Sequence, residues 1–268
     1  KRSEHGEIGS QIQAQNNIQL NAGNDINLRA SEINSAQGNV IAQAENINVK
    51  SGEYTKTADD ALKTKSKGFA STTTRIFKDR SEQTQAVSSV IGGQNISLNA
   101  EKDISVKGSH VIADQNTVLN AKQDVRIEAA TTTSTENSIY SKKKSGLFSS
   151  GGLGVTLGSI KESTDQTGQT KRSTASSVGS LNGNTHIVAG KNYQQTGSNV
   201  SAVKGDVNIV AQQVNIEAAA ENQQNDYKYE REQKGLTLAV NVPIVSAIQT
   251  ALNSSEQVGQ SKNDRVNA

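Results

Sequence analysis

The chain has 268 residues, a formal net charge of +2, no Cys, no Met and a single Pro. Without Cys there are no disulfides, no thiolate catalysis and no Cys-based zinc sites. So small a net charge leaves a general nucleic-acid role without electrostatic support.

Leu, Ile, Val and Phe together number 56, about 21% of the chain, a level at which disorder competes with folding. Low net charge and regular placement of the apolar residues argue for folding. A stacked β architecture also needs little core, because each layer buries a thin line of side chains against the next. No apolar run reaches the length of a membrane helix. The chain opens at Lys1 without a signal-like stretch, so it reads as a fragment whose parent's leader is not visible.

Residues 11–52 form a first core block. Ile18, Ile26, Ile33, Val40 and Ile47 each open a short strand, seven or eight residues apart. Val40 follows Ile18 by 22 residues, so three strands make one turn. Asn17, Asn24, Asn39 and Asn46 sit beside the strand starts. Asn suits corners and can stack into hydrogen-bonded ladders; a solvated turn residue is the competing reading. Residues 53–93, rich in Lys, Thr and Ser, break the pattern and read as an excursion that returns at Val90–Gly93.

Core block two, 94–130, contains the clearest unit, Asn95 to Ser109. Ile96 and Leu98, then Ile104 and Val106, alternate with polar residues around the corner Ala100–Asp103. A period of two puts the apolar members on one face. Such a unit cannot bury that face alone and needs stacked copies. Ile18 and Ile26 repeat Ile96 and Ile104 at a shift of 78; Ile187 and Tyr193 repeat Leu98 and Ile104 at 89. Ile47, Val125 and Val214 keep the same shifts.

The second excursion, 131–181, reads as a hairpin with its tip at 148–152. Leu153, Val155 and Leu157 alternate with Gly154, Thr156 and Gly158, the apolar/small alternation of a barrel-type membrane strand. Leu147 and Phe148 at the tip add candidate apolar anchors. The run Lys142–Lys144 beside them reads either as a contact for anionic lipid or lipopolysaccharide, or as a solvated hairpin arm. Core block three, 182–220, places Tyr193 and Gln195 where block two has aliphatics. The last excursion, 221–268, alternates again over Lys234–Val240. After Pro243, the residues Val245, Ile248 and Leu252 lie at helical spacing and predict a short amphipathic helix over 243–252.

The expected fold is all-β: a parallel β-helix with long β-hairpin excursions and one short C-terminal helix. The inward residues are Ile18, Leu20, Ile26, Leu28, Ile47, Val49, Ile96, Leu98, Ile104, Val106, Val125, Ile127, Ile187, Ile209, Val214 and Ile216. The excursions leave after equivalent strands, so they should emerge on one side and lie together, as neighbours in an antiparallel sheet.

Little points to chemistry. His5, His110 and His186 are isolated, none with a second His nearby. Gly151–Gly158 lacks the Lys and the following helix of a phosphate loop, and no nucleophile elbow occurs. No catalytic, cofactor-binding or metal site is assigned. The candidate contact residues are Leu147, Phe148, Leu153, Val155, Leu157, Val245, Ile248 and Leu252. Their partner is a target-cell outer membrane or a neighbouring excursion.

The repeated Asn-Ile-x-Leu-x-Ala and Asp-Ile-x-Val phrases resemble the haemagglutinin repeats of filamentous-haemagglutinin-type exoproteins. The stretch 145–158, Ser-Gly-Leu-Phe-Ser-Ser-Gly-Gly-Leu-Gly-Val-Thr-Leu-Gly, is similar to the second repeat region of contact-dependent growth inhibition effectors. The resemblance covers 11–252. It implies a right-handed parallel β-helix and two-partner secretion through an outer-membrane transporter. It also implies life at the surface of, or secreted from, a Gram-negative bacterium, with a periplasmic stage before transfer. The implied role is to carry a C-terminal toxin across a target cell's outer membrane. An adhesin stalk is the alternative, and a β-helix enzyme acting on polysaccharide a distant one.

Overall fold

The computed structural model describes residues 1–149 and 154–239, and all regular structure among them is β-strand. After β1 (Arg2–Gly6), the first turn is β2 (Gln11–Ala14), β3 (Ile18–Asn21) and β4 (Asp25–Arg29). The second is β5 (Glu32–Ser35), β6 (Val40–Ala44) and β7 (Asn46–Lys50). A long hairpin follows, β8 (Gly52–Lys67) and β9 (Ser71–Val87). Turn three is β10 (Val90–Gly93), β11 (Ile96–Ala100) and β12 (Ile104–Lys107); turn four is β13 (His110–Ala113), β14 (Thr117–Ala121) and β15 (Val125–Glu128). A second hairpin, β16 (Ala130–Ser149) and β17 (Gly154–Thr174), leads to turn five: β18 (Ser177–Ser180), β19 (Thr185–Ala189) and β20 (Asn192–Thr196). Turn six is β21 (Asn199–Ala202), β22 (Val207–Val210) and β23 (Gln213–Glu217), and β24 (Asn222–Ala239) leaves it.

Each strand of a turn pairs in parallel with its counterpart one turn on, which gives three six-stranded parallel sheets. Sheet one collects β2, β5, β10, β13, β18 and β21; sheet two starts at β3 and sheet three at β4. This arrangement fits a parallel β-helix. Because counterparts align, like stacks on like. In sheet three Ile26, Ile47, Ile104, Val125, Tyr193 and Val214 form one inward column.

The three corners are held by different ladders. Between sheets one and two, Asn17, Asn39, Asn95, Asn116 and Asn184 pass hydrogen bonds from turn to turn at 2.8–3.1 Å. Between sheets two and three, Asp25, Asn46, Asp103, Asp124 and Asn192 form a second ladder at 2.8–3.4 Å. The Asn24 side chain is not in this second ladder; its carbonyl accepts from Glu45 and Asn46 instead. Between sheets three and one, serines serve. Ser10, Ser31, Ser89, Ser109 and Ser176 each donate a backbone N–H to the hydroxyl of the next serine, at 3.1–3.2 Å. Ser89, Ser109 and Ser176 are fully buried, so their polar atoms depend on this ladder.

The serine corner has two states. Where the coil runs on directly, one residue in the left-handed region closes it: Ala30 (φ 50°), Gly108 (φ 57°) and Gly197 (φ 54°). In the alternate turns the corner opens into a hairpin. The closed-corner residue then lies against the first residues of the next exit. A Cβ on Gly108 would fall 2.4 Å from the Cβ of Ala130, and one on Gly197 2.2 Å from that of Ala219.

All excursions join one antiparallel sheet, in the order β1-β8-β9-β16-β17-β24. Both faces of this fin are open. Among its described side chains only Gly52 and Ala130 at the base, and Phe148 and Thr156 near the tip, are buried.

Several expectations need correction. Val214 and Ile216 point inward but are 51% and 63% exposed, because they belong to the last described turn and no described strand stacks on that end. Leu20, Ile26 and Ile209 are half-buried for the same reason, at the first and last turns. The returning segments Val90–Gly93 and Ser177–Ser180 are strands of sheet one, so the coil resumes at 90 and 177 rather than 94 and 182. The helix expected over 243–252 lies outside the described residues.

Position along the coil therefore sets the cost of a mutation. Ile104→Asp puts an unpaired charge in the dry middle and should cost about 4 kcal/mol or more, while Val214→Asp should cost under about 1 kcal/mol. Gly108→Ala combines a left-handed φ with a Cβ clash and should cost more than about 1 kcal/mol. Chemical denaturation followed by far-UV circular dichroism measures all three.

Candidate functional site

The fin's registers assign every side chain to a face. Tyr140 is opposite Phe77, which is opposite Leu62; on the other side Tyr140 is opposite Thr164, and that residue is opposite Tyr229. Residues in such a row share one face, and the face alternates along each strand. Tyr54, Phe77, Tyr140, Phe148, Tyr227 and Tyr229 therefore all lie on one face, which we call the aromatic face. The Phe77 and Tyr140 rings are 4.8 Å apart, tilted by 41°.

The opposite face carries the apolar tip. Leu147, Leu157 and Leu236 form one row. Val155 and Leu238 form the next row outward. Leu157, Leu236 and Leu238 are 63%, 65% and 58% exposed. The sequence singled out Leu147, Val155 and Leu157 and missed Leu236 and Leu238. The alternation Lys234-Gly-Leu-Thr-Leu was the available signal; its register against Val155–Leu157 was not.

Phe148 is corrected. It sits on the aromatic face, buried, and cannot anchor the apolar one. The cause is a bare seam, since Gly146, Gly158 and Gly235 form a single row across three strands. Gly146 and Gly235 have φ of 118° and 137°. Phe148 reaches over this seam, and the Lys144 ammonium lies 5.7 Å from its ring centroid, within cation–π range. The ring shares a cleft of about 190 Å³ with Lys144, Ile160 and Arg231. An aromatic side chain covering strand glycines is a known way to seal such a gap. The run Lys142–Lys144 is likewise divided: Lys143 faces the apolar side, and Lys142 and Lys144 face the other. Leu153, Val245, Ile248 and Leu252 lie outside the described residues.

In the coil, turn five carries a polar break. Tyr193 is fully buried and donates its hydroxyl to Gln195 Oε1 at 2.8 Å, and Gln195 Nε2 donates to the Ser198 carbonyl at 2.7 Å. The hydroxyl and amide thus satisfy each other where aliphatics stand in earlier turns. Burial raises the Tyr193 phenol to about 12.

The histidines lie apart, His5 on β1, His110 on β13 and His186 on β19. Among the described residues no three His, Asp or Glu cluster as a metal site. A cleft of about 500 Å³ at the fin's base is lined mainly by Thr and Gln, and one of about 550 Å³ lies at the first turn of the coil, beside Leu20, Ile26 and Leu28.

A family model described as hemagglutinin repeat matches residues 1–78, 70–236 and 157–267. The chain belongs to the hemagglutinin-repeat family. It is 33% identical over 263 residues to the "tRNA nuclease CdiA" of Escherichia coli (strain STEC_O31), covering 97% of this chain and 7% of that protein. It is 31% identical to the "16S rRNA endonuclease CdiA" of Enterobacter cloacae, covering 97% of this chain and 8% of that protein. It is 33% identical to the "Toxin CdiA" of Yersinia pestis, covering 69% and 6%. The chain therefore spans less than a tenth of the length of these relatives. No solved structure matches it.

The buried phenol gives a pH signature. Its folded value of about 12 exceeds the ordinary 10.0, so the stability it contributes is full below pH 10 and is lost as pH rises through 12. Alkaline ultraviolet titration should show one tyrosine ionising near pH 12, and Tyr193→Phe should remove that step.

Proposed function

We propose that this chain is a structural and delivery segment of a contact-dependent growth inhibition exoprotein, exported by two-partner secretion through an outer-membrane transporter. On this reading it is a right-handed parallel β-helix displayed on, or secreted from, a Gram-negative cell, with a periplasmic stage before transfer. Its task is to help carry a C-terminal toxin across the target cell's outer membrane. The observation that carries the reading is similarity to CdiA proteins along 97% of the chain, joined to a fin with an exposed apolar tip.

The segment itself acts without catalysis. On this reading the nuclease and toxin activities in the relatives' names reside in the more than nine-tenths of those proteins that the chain does not match. The coil is the stalk, and the fin is the contact element. Leu147, Val155 and Leu157, with Leu236 and Leu238, meet the target membrane; Leu153, Val245, Ile248 and Leu252 add to the contact. Single-layer sheets keep both faces available, which a stalk alone would not need. An adhesin stalk also needs exposed excursions, but the toxin and nuclease names of the relatives favour delivery.

The test uses the parent protein. Residues 129–175 are replaced by one Gly, so that a single residue joins Glu128 to Ser176 as Gly108 joins Lys107 to Ser109. Secretion and surface display should persist, and inhibition of target cells should be lost. If display fails, Leu157→Ser with Leu236→Ser isolates the tip without touching the coil. Full inhibition by either displayed variant refutes the contact role of the fin.

A further inference from the structure

The apolar tip does not end the pattern on its face. One row towards the base lie Lys67 and Lys234, and the next row holds Lys65, Lys143 and Lys161, with Lys63 beyond. Within these three rows the charged residues are six lysines and two glutamates, Glu230 and Glu232. That is a local excess of four positive charges in a chain whose total is +2. The glutamates are engaged by β24's own lysines, Lys234–Glu232 and Lys228–Glu230, both at 2.7 Å. Among the described residues no ion pair is formed by Lys63, Lys65, Lys67, Lys143 or Lys161.

Lys143 and Lys161 are direct cross-strand partners. Like charges directly opposite destabilise a sheet. Glu232, the other cross-strand partner of Lys161, offsets part of this repulsion, and an anion over the pair relieves the rest.

Spacing identifies the anion's setting. Successive rows on one face are about 7 Å apart. Apolar groups of interfacial proteins enter about 5–10 Å below the headgroups. With the leucine rows at that depth, the lysine rows lie at the level of the lipid phosphates. Two apolar rows are far short of the about 25 Å band of a spanning strand, so the described tip rests in one leaflet.

We infer that the apolar-tip face of the fin docks on a phosphate-bearing anionic lipid surface, with Lys65, Lys67, Lys143, Lys161 and Lys234 on the headgroups. This rests on the membrane contact proposed above and adds the lipid chemistry and the face used. The aromatic face, with Arg75 and Lys142, stays out of the contact.

The full 268-residue chain is floated with vesicles of phosphatidylcholine alone, or of phosphatidylcholine with phosphatidylglycerol. Binding to the anionic vesicles should exceed binding to neutral ones by at least about tenfold and fall in high salt. Lys65→Glu, Lys143→Glu and Lys161→Glu together should remove the difference. Arg75→Glu with Lys142→Glu, on the opposite face, should keep it; circular dichroism checks folding of both. Equal binding to both vesicle types, sensitive to Leu157→Ser with Leu236→Ser, overturns the lipid chemistry and leaves the membrane contact standing. Release by inorganic phosphate at matched ionic strength overturns it too, in favour of a simple ion site. No flotation with any vesicle overturns both readings.

Discussion

The corner between sheets three and one is the constraint on which the rest of the structure depends. Its serine ladder fixes the vertical stacking of the coil, because each hydroxyl accepts a backbone N–H from the turn before. The same hydroxyls donate to carbonyls nearby: Ser109 to Lys107, Ser89 to Lys50 and Ser176 to Glu128. Donor and acceptor are thus satisfied without water at a buried position. The chain between sheet three and the ladder serine is unconstrained in length. One left-handed residue suffices, and so does a hairpin of some 36 to 45 residues. The coil tolerates large insertions because they enter where no ladder bond is broken.

Fixed exits then determine the fin. Each hairpin starts at the same corner two turns after the last, so its outer arm meets the neighbouring hairpin's outer arm. β9 meets β16, and β17 meets β24, both antiparallel. An isolated hairpin is marginal in water. Six arms anchored at a common base are not isolated, and their register is inherited from the coil. This is why a sheet with almost no buried side chains holds residue-by-residue pairing over lengths of 13 to 20 residues.

Much of the coil was legible in the sequence. Ile104 and Val106 lie where the period of two and the repeat shifts put them, and Tyr193 and Gln195 mark the odd turn. The serine ladder was also written there, as Ala30-Ser31, Gly108-Ser109 and Gly197-Ser198 at the shifts of 78 and 89. Its role is not legible from the sequence alone, because Ser is common and the ladder exists only when turns are stacked. Less of the candidate site was legible. Leu147 and Phe148 are adjacent in one strand, so they face opposite ways; reading Phe148 as part of a turn hid that. The leucine patch needed the β17–β24 register, which depends on two exits far apart in the chain.

The glycine seam explains why the two faces at the tip have different character. Removing three side chains from one row lets the strands approach closely: a Cβ on Gly158 would fall 2.1 Å from the Lys234 carbonyl oxygen. Phe148 fills the gap on that side, and the Thr156 and Thr237 hydroxyls meet beside it at 2.9 Å. The aromatic face of the tip is therefore closed within the protein. Leu157, Leu236 and Leu238 opposite are exposed, and among the described residues no second layer covers their face. A patch of exposed leucine is a liability in a soluble sheet. Here it is bordered on its base side by lysines rather than by further apolar residues. Charge beside the patch discourages edge-to-edge and face-to-face association between copies of the chain, and the same charge favours an anionic surface. Solubility of the free segment and selectivity of its contact thus follow from one arrangement of lysine rows.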